Sequence, residues 1–239
     1  MAQNTFERIE EKYLLSPAQL GAVHDGLTGH MHPDPFGRST VSSIYYDTED
    51  YRLIRTSLEK PDYKEKLRLR WYGTPSADST VFVELKKKFD GVVYKRRAQL
   101  TAAEAEAFLT DGKLEGDAQV LREIRYFMSL YRPVPRVLLS YRRIAYTGAE
   151  QGLRITFDDS VRFRAGMLRL NASSWGREIL PPGQTLMEVK ASGAMPLWLC
   201  RVLGKNEIYP ASFSKYGTSY RDYIYPEATR IEKGESSYA

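Results

Sequence analysis

Apolar and polar positions alternate along much of the chain, most plainly in residues 63–72, YKEKLRLRWY. Side chains on a strand point to opposite faces in turn, so Lys64, Lys66, Arg68 and Arg70 share one face. Leu67, Leu69 and Trp71 share the other. The same period predicts strands near 6–14, 40–47, 63–73, 80–89, 91–100, 136–146, 152–163 and 184–191. Tight turns such as Asp90-Gly91 join several of them, which suits antiparallel pairing.

Caps mark the helices between the strands. Ser16-Pro17-Ala18-Gln19 has a capping-box residue pair with proline at the first helical position, and predicts a helix through Leu27. Thr101-Ala102-Ala103-Glu104 repeats the signature, and Asp111-Gly112 ends that helix. From Ala118 to Tyr131, apolar residues recur at helical spacing. A last helix opens at Met195-Pro196 and stops at Gly204. No linker-like break or repeat divides the chain, so one domain over 1–239 is expected, with a frayed polar tail at 226–239.

The charges keep to one parity on strand after strand. Arg8, Glu10 and Lys12 share a face, as do Glu84, Lys86 and Lys88, then Lys95 and Arg97, then Arg154 and Asp158, then Glu188 and Lys190. Helices with apolar stripes need a partner, and the apolar strand faces are the sheet surface available to them. A sheet of about eight strands tends to curl or close. The expected fold is therefore α+β, an eight-stranded antiparallel β-barrel tunnel with helices packed outside and charges lining the lumen. Cations crowded at low dielectric repel one another unless an anion offsets them. Arginine forks and lysine point charges both suit phosphate, while the interspersed carboxylates suit hard divalent ions.

Composition sharpens this reading only a little. The 239 residues carry 35 Lys+Arg and 30 Asp+Glu, a net charge of +5, so charge placement is more informative than its sum. No apolar run reaches the roughly 20 residues of a membrane span, and the start lacks a signal core, so a cytoplasmic protein is expected. Cys200, the only cysteine, lies in the apolar context PLWLCRVL and is expected to pack. His24, His30 and His32 lack the ligand spacing of a zinc site. A nucleic-acid reader is disfavoured because Trp71, Phe157 and Val81 lie opposite the charges, where bases could not stack on them.

Motifs in order along nearly the whole chain resemble those of the VTC domain, the polyphosphate polymerase part of the vacuolar transporter chaperone, within the triphosphate tunnel (CYTH-like) superfamily. They are RIEEKY at 8–13, SSIYYDT at 42–48, KLRLRWY at 66–72, VELKKK at 83–88, VVYKRR at 92–97, SYRRIAY at 140–146, RITFDD at 154–159, LMEVK at 186–190 and FSKYGTS at 213–219. The resemblance implies a basic tunnel that transfers the γ-phosphate of ATP, or another triphosphate, to a growing polyphosphate chain. By position it implies Lys12, Arg68, Arg70, Lys86, Lys95, Arg143, Arg154, Lys190 and Lys215 as catalytic phosphate contacts. Arg8, Lys66, Lys88, Arg97, Ser214 and Tyr216 join them in substrate binding. Glu188, with Glu10 and Glu84, is implied as the ligand set for Mn2+ or Mg2+.

The attacking group in such a polymerase is a phosphate terminus, so the chain needs no nucleophile of its own. Arg8 stands where the hydrolytic members carry the first carboxylate of E-x-E-x-K, which disfavours a simple tripolyphosphatase and fits a polymerase or a polyphosphate binder. A triphosphatase of the same fold and a non-catalytic polyphosphate-binding module remain alternatives. A membrane-protein partner for export is a further candidate; nucleic acid is not expected as a partner.

Overall fold

In a computed structural model the structure describes residues 9–90, 92–112, 116, 118–148, 152–171 and 173–232. The fold is mixed α+β, with antiparallel strands and helices on their apolar side. The chain forms two compact units, each assembled from separated segments.

The first unit comprises residues 1–40, 141–161 and 180–213. It contains β1 (Ile9–Leu15), α1 (Pro17–Leu27), β2 (Met31–Pro33), most of β8 (Arg154–Arg164), β10 (Thr185–Ala191) and α5 (Leu197–Lys205). The far half of β7 (Val134–Gly148) also lies here. β10 sits between β1 and β8, in a register that pairs Lys12 with Glu188 and Glu188 with Thr156. Tyr13, Leu15, Ile155, Phe157, Met187 and Val189 turn to the other side. There they meet Val23 and Leu27 of α1 and Leu199 and Leu203 of α5 in one buried core. Gly26 lets α1 approach α5, since a Cβ there would stand 2.6 Å from Val202.

The second unit comprises residues 41–140, 162–179 and 214–239. β3 (Ser39–Asp47), β4 (Tyr63–Tyr72), β5 (Thr80–Phe89) and β6 (Val92–Thr101) pair in that order. Leu67, Leu69, Trp71, Val81, Val83 and Leu85 are buried with Phe108 of α3 (Ala102–Asp111) and Ile124 and Phe127 of α4 (Gln119–Tyr131). Full burial of each such side chain contributes roughly 1.5–3 kcal/mol. These cores account for the strand parity read from the sequence.

The strand path ends at β1 in the first unit and at β6 in the second. Among the described residues neither has a second neighbour. Among these residues hydrogen bonds therefore do not close the sheet, and short β2 and β9 (Arg177–Glu178) join the eight longer strands expected of the tunnel-like α+β fold. Both capping boxes form as the residues demand. The Asp90-Gly91 turn places Asp90 at φ 44°, and Gly91 lies outside the described residues. No helix among the described residues is long and apolar enough to cross a membrane.

Three local expectations are corrected. Cys200 is exposed on α5, because Leu199 and Leu203 take the buried stripe. Of the tail expected to fray at 226–239, residues 226–232 are helical, as α6 (Lys215–Ser219), a π-helical turn (Tyr220–Ile224) and α7 (Tyr225–Glu232) run on from one another, and 233–239 lie outside the described residues. An additional helix, α2 (Arg52–Leu58), forms where none was expected. Its first turn is capped from a distance by the fully buried Asp47 of β3, which accepts from the Leu53 and Ile54 amides at 2.8 and 2.9 Å. Burial pushes the Asp47 carboxyl up, while these amides and the Tyr216 hydroxyl, which donates at 2.8 Å, pull it back.

Asp47→Ala should destabilise the protein by about 2–3 kcal/mol, since it leaves several buried donors without an acceptor. Tyr216→Phe, which removes one donor, should cost about half as much. Urea denaturation of both variants checks the ranking.

Candidate functional site

Register builds the site in the second unit. β3, β4, β5 and β6 bring Tyr45, Arg68, Glu84 and Arg97 into one cross-strand row, with Lys66, Lys86 and Lys95 of β4–β6 in the next. Lys64 and Lys88 face each other one row further on. On β4–β6 this face carries eight cations and one carboxylate, Glu84. Like charges placed directly across strands oppose folding, so Glu84 has particular weight.

Glu84 is 1% exposed and gathers four cations. Arg68 Nε donates to Oε2 at 2.7 Å, and Arg70 lies 3.9 Å from the same oxygen. Lys95 Nζ stands 2.7 Å from Oε1, and Arg97 donates to that oxygen through Nε at 2.8 Å. Burial would raise the Glu84 carboxyl, but Arg68, Arg70 and Lys95 overcome it and hold the group well below the usual carboxylate range. Glu84 was expected among the metal ligands. With both oxygens engaged by guanidinium and ammonium groups, it serves instead as the counterion of the cationic face.

Other groups complete this face. The Tyr45 hydroxyl accepts from Arg68 Nη1 at 2.9 Å, and its ring packs on Tyr216 at 4.8 Å. Burial would raise the Tyr45 pKa, but Arg68, Arg70 and Lys66 bring it down to about 8. Burial also lowers the Lys95 pKa to about 8, against the pull of Glu84. Arg70 is buried and donates to Ser43 Oγ at 3.1 Å. The Arg97 guanidinium covers Phe82, 4.4 Å from the ring centroid. Aromatic residues thus lie on the charged face, against expectation: Tyr45 and Phe82 are covered by arginines, and exposed Tyr72 meets Phe82 edge-on with centroids 6.1 Å apart.

The remaining predicted residues of this unit divide by geometry. Lys86 is exposed, while Lys66 and Lys88 are half-buried. Ser214 caps α6 by accepting from the Gly217 amide at 3.1 Å, and half-buried Lys215 follows it. Tyr216, expected to bind substrate, is buried and directs its hydroxyl to Asp47, so its position makes it a support for Tyr45. Lys87 and Arg96 have the opposite parity and reach Glu123 of α4.

The first unit presents a different face. Arg143 grips Asp158 with two bonds, at 2.6 and 2.7 Å, and approaches Glu188 at 3.6 Å. Burial works against its charge, but Tyr141, Asp158 and Glu188 raise its pKa further. Lys12 donates to the Phe213 carbonyl at 2.9 Å and lies 4.0 Å from Glu10. Arg154 is half-exposed and bonds Asp34 at 3.0 Å, while Glu10 pairs in register with Lys190. Here the predicted cations Lys12, Arg143, Arg154 and Lys190 meet four carboxylates, Glu10, Asp34, Asp158 and Glu188, so charge is balanced. Arg8 lies outside the described residues.

Among the described residues, no group of three or more His, Cys, Asp or Glu side chains could enclose a metal. The register does set Glu10 and Glu188 diagonally on one face of adjacent strands, beside the buried Thr156 hydroxyl, which has no protein partner. Magnesium-like ions are commonly held by one or two carboxylates together with substrate phosphates. This pair fits that requirement, whereas Glu84 does not.

An antiparallel sheet with helices on one side and charged residues on the other defines a tunnel-like α+β class. A protein from Bacillus halodurans provisionally assigned as an adenylate cyclase shares the fold, with a TM-score of 0.54 and 17% identity over 87% of this chain and 93% of that one. Residues 7–223 match the VTC domain, and the chain belongs to that family. Vacuolar transporter chaperone complex subunit 4 of Trypanosoma brucei is 28% identical over 155 residues, 52% of this chain and 20% of the relative. The Schizosaccharomyces pombe subunit 4 is 26% identical over 193 residues, 66% of this chain and 26% of the relative. The chain thus spans about a fifth to a quarter of these relatives.

Two predictions follow from the geometry. Glu84→Gln should destabilise the fold by about 3–5 kcal/mol, because it strands buried cations; differential scanning calorimetry reads this directly. Between pH 7 and 9, Lys95 loses a positive charge and Tyr45 gains a negative one, so affinity for polyphosphate should fall. Both groups have folded pKa values below their ordinary ones, so their contribution to stability instead rises from about pH 8 towards 10. Calorimetric titration and thermal melts across this range should move in opposite directions, and a Tyr45→Phe, Lys95→Met variant should flatten both.

Proposed function

We propose that this VTC domain protein transfers the γ-phosphate of ATP, or of another triphosphate, to the end of a polyphosphate chain. The observation that carries this reading is the cationic face of β4–β6, where eight basic side chains surround a single carboxylate. A multiply charged phosphate chain offsets that repulsion and is recognised by both kinds of cation present. Family membership supports a polyphosphate-directed activity.

Arg68, Arg70, Lys86, Lys95 and Arg97 bind and orient phosphate oxygens, and Glu84 fixes the arginine forks before substrate arrives. Lys12, Arg143, Arg154 and Lys190 supply further positive charge in the first unit. Glu10 and Glu188 would hold Mn2+ or Mg2+, which when bound neutralises charge on phosphate oxygens. In the reaction, a terminal phosphate oxygen forms a bond to Pγ as the bond from Pγ to the β–γ bridging oxygen breaks. ADP departs with that bridging oxygen and the bond's electron pair. Positioning and charge compensation suffice, without a protein nucleophile. A protein partner, by analogy with relatives that are subunits of a complex, is part of this proposal, as is a cytoplasmic location.

Incubation with ATP and Mn2+, followed by phosphorus NMR and gel electrophoresis, tests the reading. The expected product is a polyphosphate ladder, reduced at least about tenfold in Glu188→Gln if a charge-stabilising ion is lost. Orthophosphate alone would reassign the chain as a hydrolase. Tight polyphosphate binding without turnover would make it a binding module.

A further inference from the structure

The β5–β6 turn has a feature that phosphate chemistry does not use. Phe89, Val92, Val93 and Tyr94 are 57%, 44%, 48% and 50% exposed, and Tyr63, opposite Phe89, is 44% exposed. Tyr63 and Phe89 form an edge-on pair with centroids 6.4 Å apart. Such a concentration of large apolar side chains at one point of a soluble surface marks an interaction site. The sequence brackets it with Lys86-Lys87-Lys88 on one strand and Lys95-Arg96-Arg97 on the other.

Geometry restricts what could cover this tip. Phe89 pairs with Val92 on the helix side of the ribbon, whereas Val93 pairs with Lys88 on the cationic side. Apolar groups therefore project from both faces of the same turn. A protein groove would cover one face, but a bilayer interface surrounds an inserted tip. The turn also adjoins the α2–β4 connection through the Asp90 amide, which donates to the Asp62 carbonyl at 3.0 Å. Exposed Lys60 lies in that connection. Lys60, Lys86 and Lys88 are close enough to Lys64 to lower its pKa, after burial as the larger cause. Glu59, Asp62 and Asp90 reduce the positive charge of Lys60, Lys64, Lys86 and Lys88 without cancelling it.

We propose that the β5–β6 turn docks the protein peripherally on an anionic lipid surface, with Phe89, Val92, Val93 and the tyrosine rings entering the interface and the flanking lysines meeting the headgroups. Tyrosine favours that boundary because its ring is apolar and its hydroxyl polar, and lysines near an anionic leaflet add attraction that salt weakens. The apolar tip takes no part in the catalytic reading, although Lys86 and Lys88 would serve both.

Sedimentation of the full chain with phosphatidylcholine vesicles, with and without 30 mol% phosphatidylserine, tests it at low and high salt. Binding to the anionic vesicles only, weakened by salt, is expected. Phe89→Ser with Val93→Ser should reduce it by about tenfold or more, and Lys60→Glu by about threefold. Polyphosphate affinity and thermal stability of these variants report separately on the cationic face and the fold. No retention on anionic vesicles, or retention untouched by the serine substitutions, would overturn the proposal. So would concentration-dependent self-association that the same substitutions abolish, which would assign the tip to a second copy of the chain.

Discussion

One buried carboxylate makes the cationic face of β4–β6 compatible with folding. Glu84 receives Arg68, Arg70, Lys95 and Arg97, and without it these groups would repel one another across adjacent strands. A buried ion cluster of this kind is weak evidence of net stabilisation, because desolvation offsets much of the Coulombic gain. Its clearer effect is on geometry. Each guanidinium is held in a set orientation, with Tyr45 supporting Arg68 and Ser43 supporting Arg70. On the proposed function, the face would meet phosphate with little reorganisation.

The two units distribute charge differently. The second concentrates positive charge around one anion, whereas the first interleaves cations with Glu10, Asp158 and Glu188. The phosphate attraction and divalent-ion coordination of the proposed function would require these opposite compositions. A strongly positive environment repels a metal ion, and a carboxylate-rich one repels phosphate. Strand parity allows both to occur without disturbing the apolar cores behind them. The supports lie farther back: Asp47 fixes α2 and Tyr216, and Tyr216 packs against Tyr45.

Much of this organisation was legible in the sequence because it depends on local periodicity. Alternation identified the eight long strands and their buried faces, and the Ser16 and Thr101 caps identified two helix starts. α2 was hidden because its cap, Asp47, acts from the preceding strand rather than from the adjacent position. β2 and β9 were too short for any period to register. The site was legible as a set of residue types on one face, but less so as individual roles. Glu84 and Glu188 look alike in VELKKK and LMEVK. What separates them is cross-strand register, which gives Glu84 arginines on both sides and Glu188 a threonine and a lysine. Tyr216 likewise follows Ser214-Lys215 in a suggestive motif, yet the helix turns its hydroxyl towards Asp47.

The row of Lys66, Lys86 and Lys95 repeats one chemical group across three adjacent strands, at the regular interval of a sheet. A homopolymer of phosphates has no distinctive register to offer such a row. Advancing it by one unit exchanges each contact for an equivalent one, so the energy profile along the row is shallow. On the proposed function the sheet would act as a track, retaining a long polyanion through repeated contacts of one chemical type while letting it advance from one to the next.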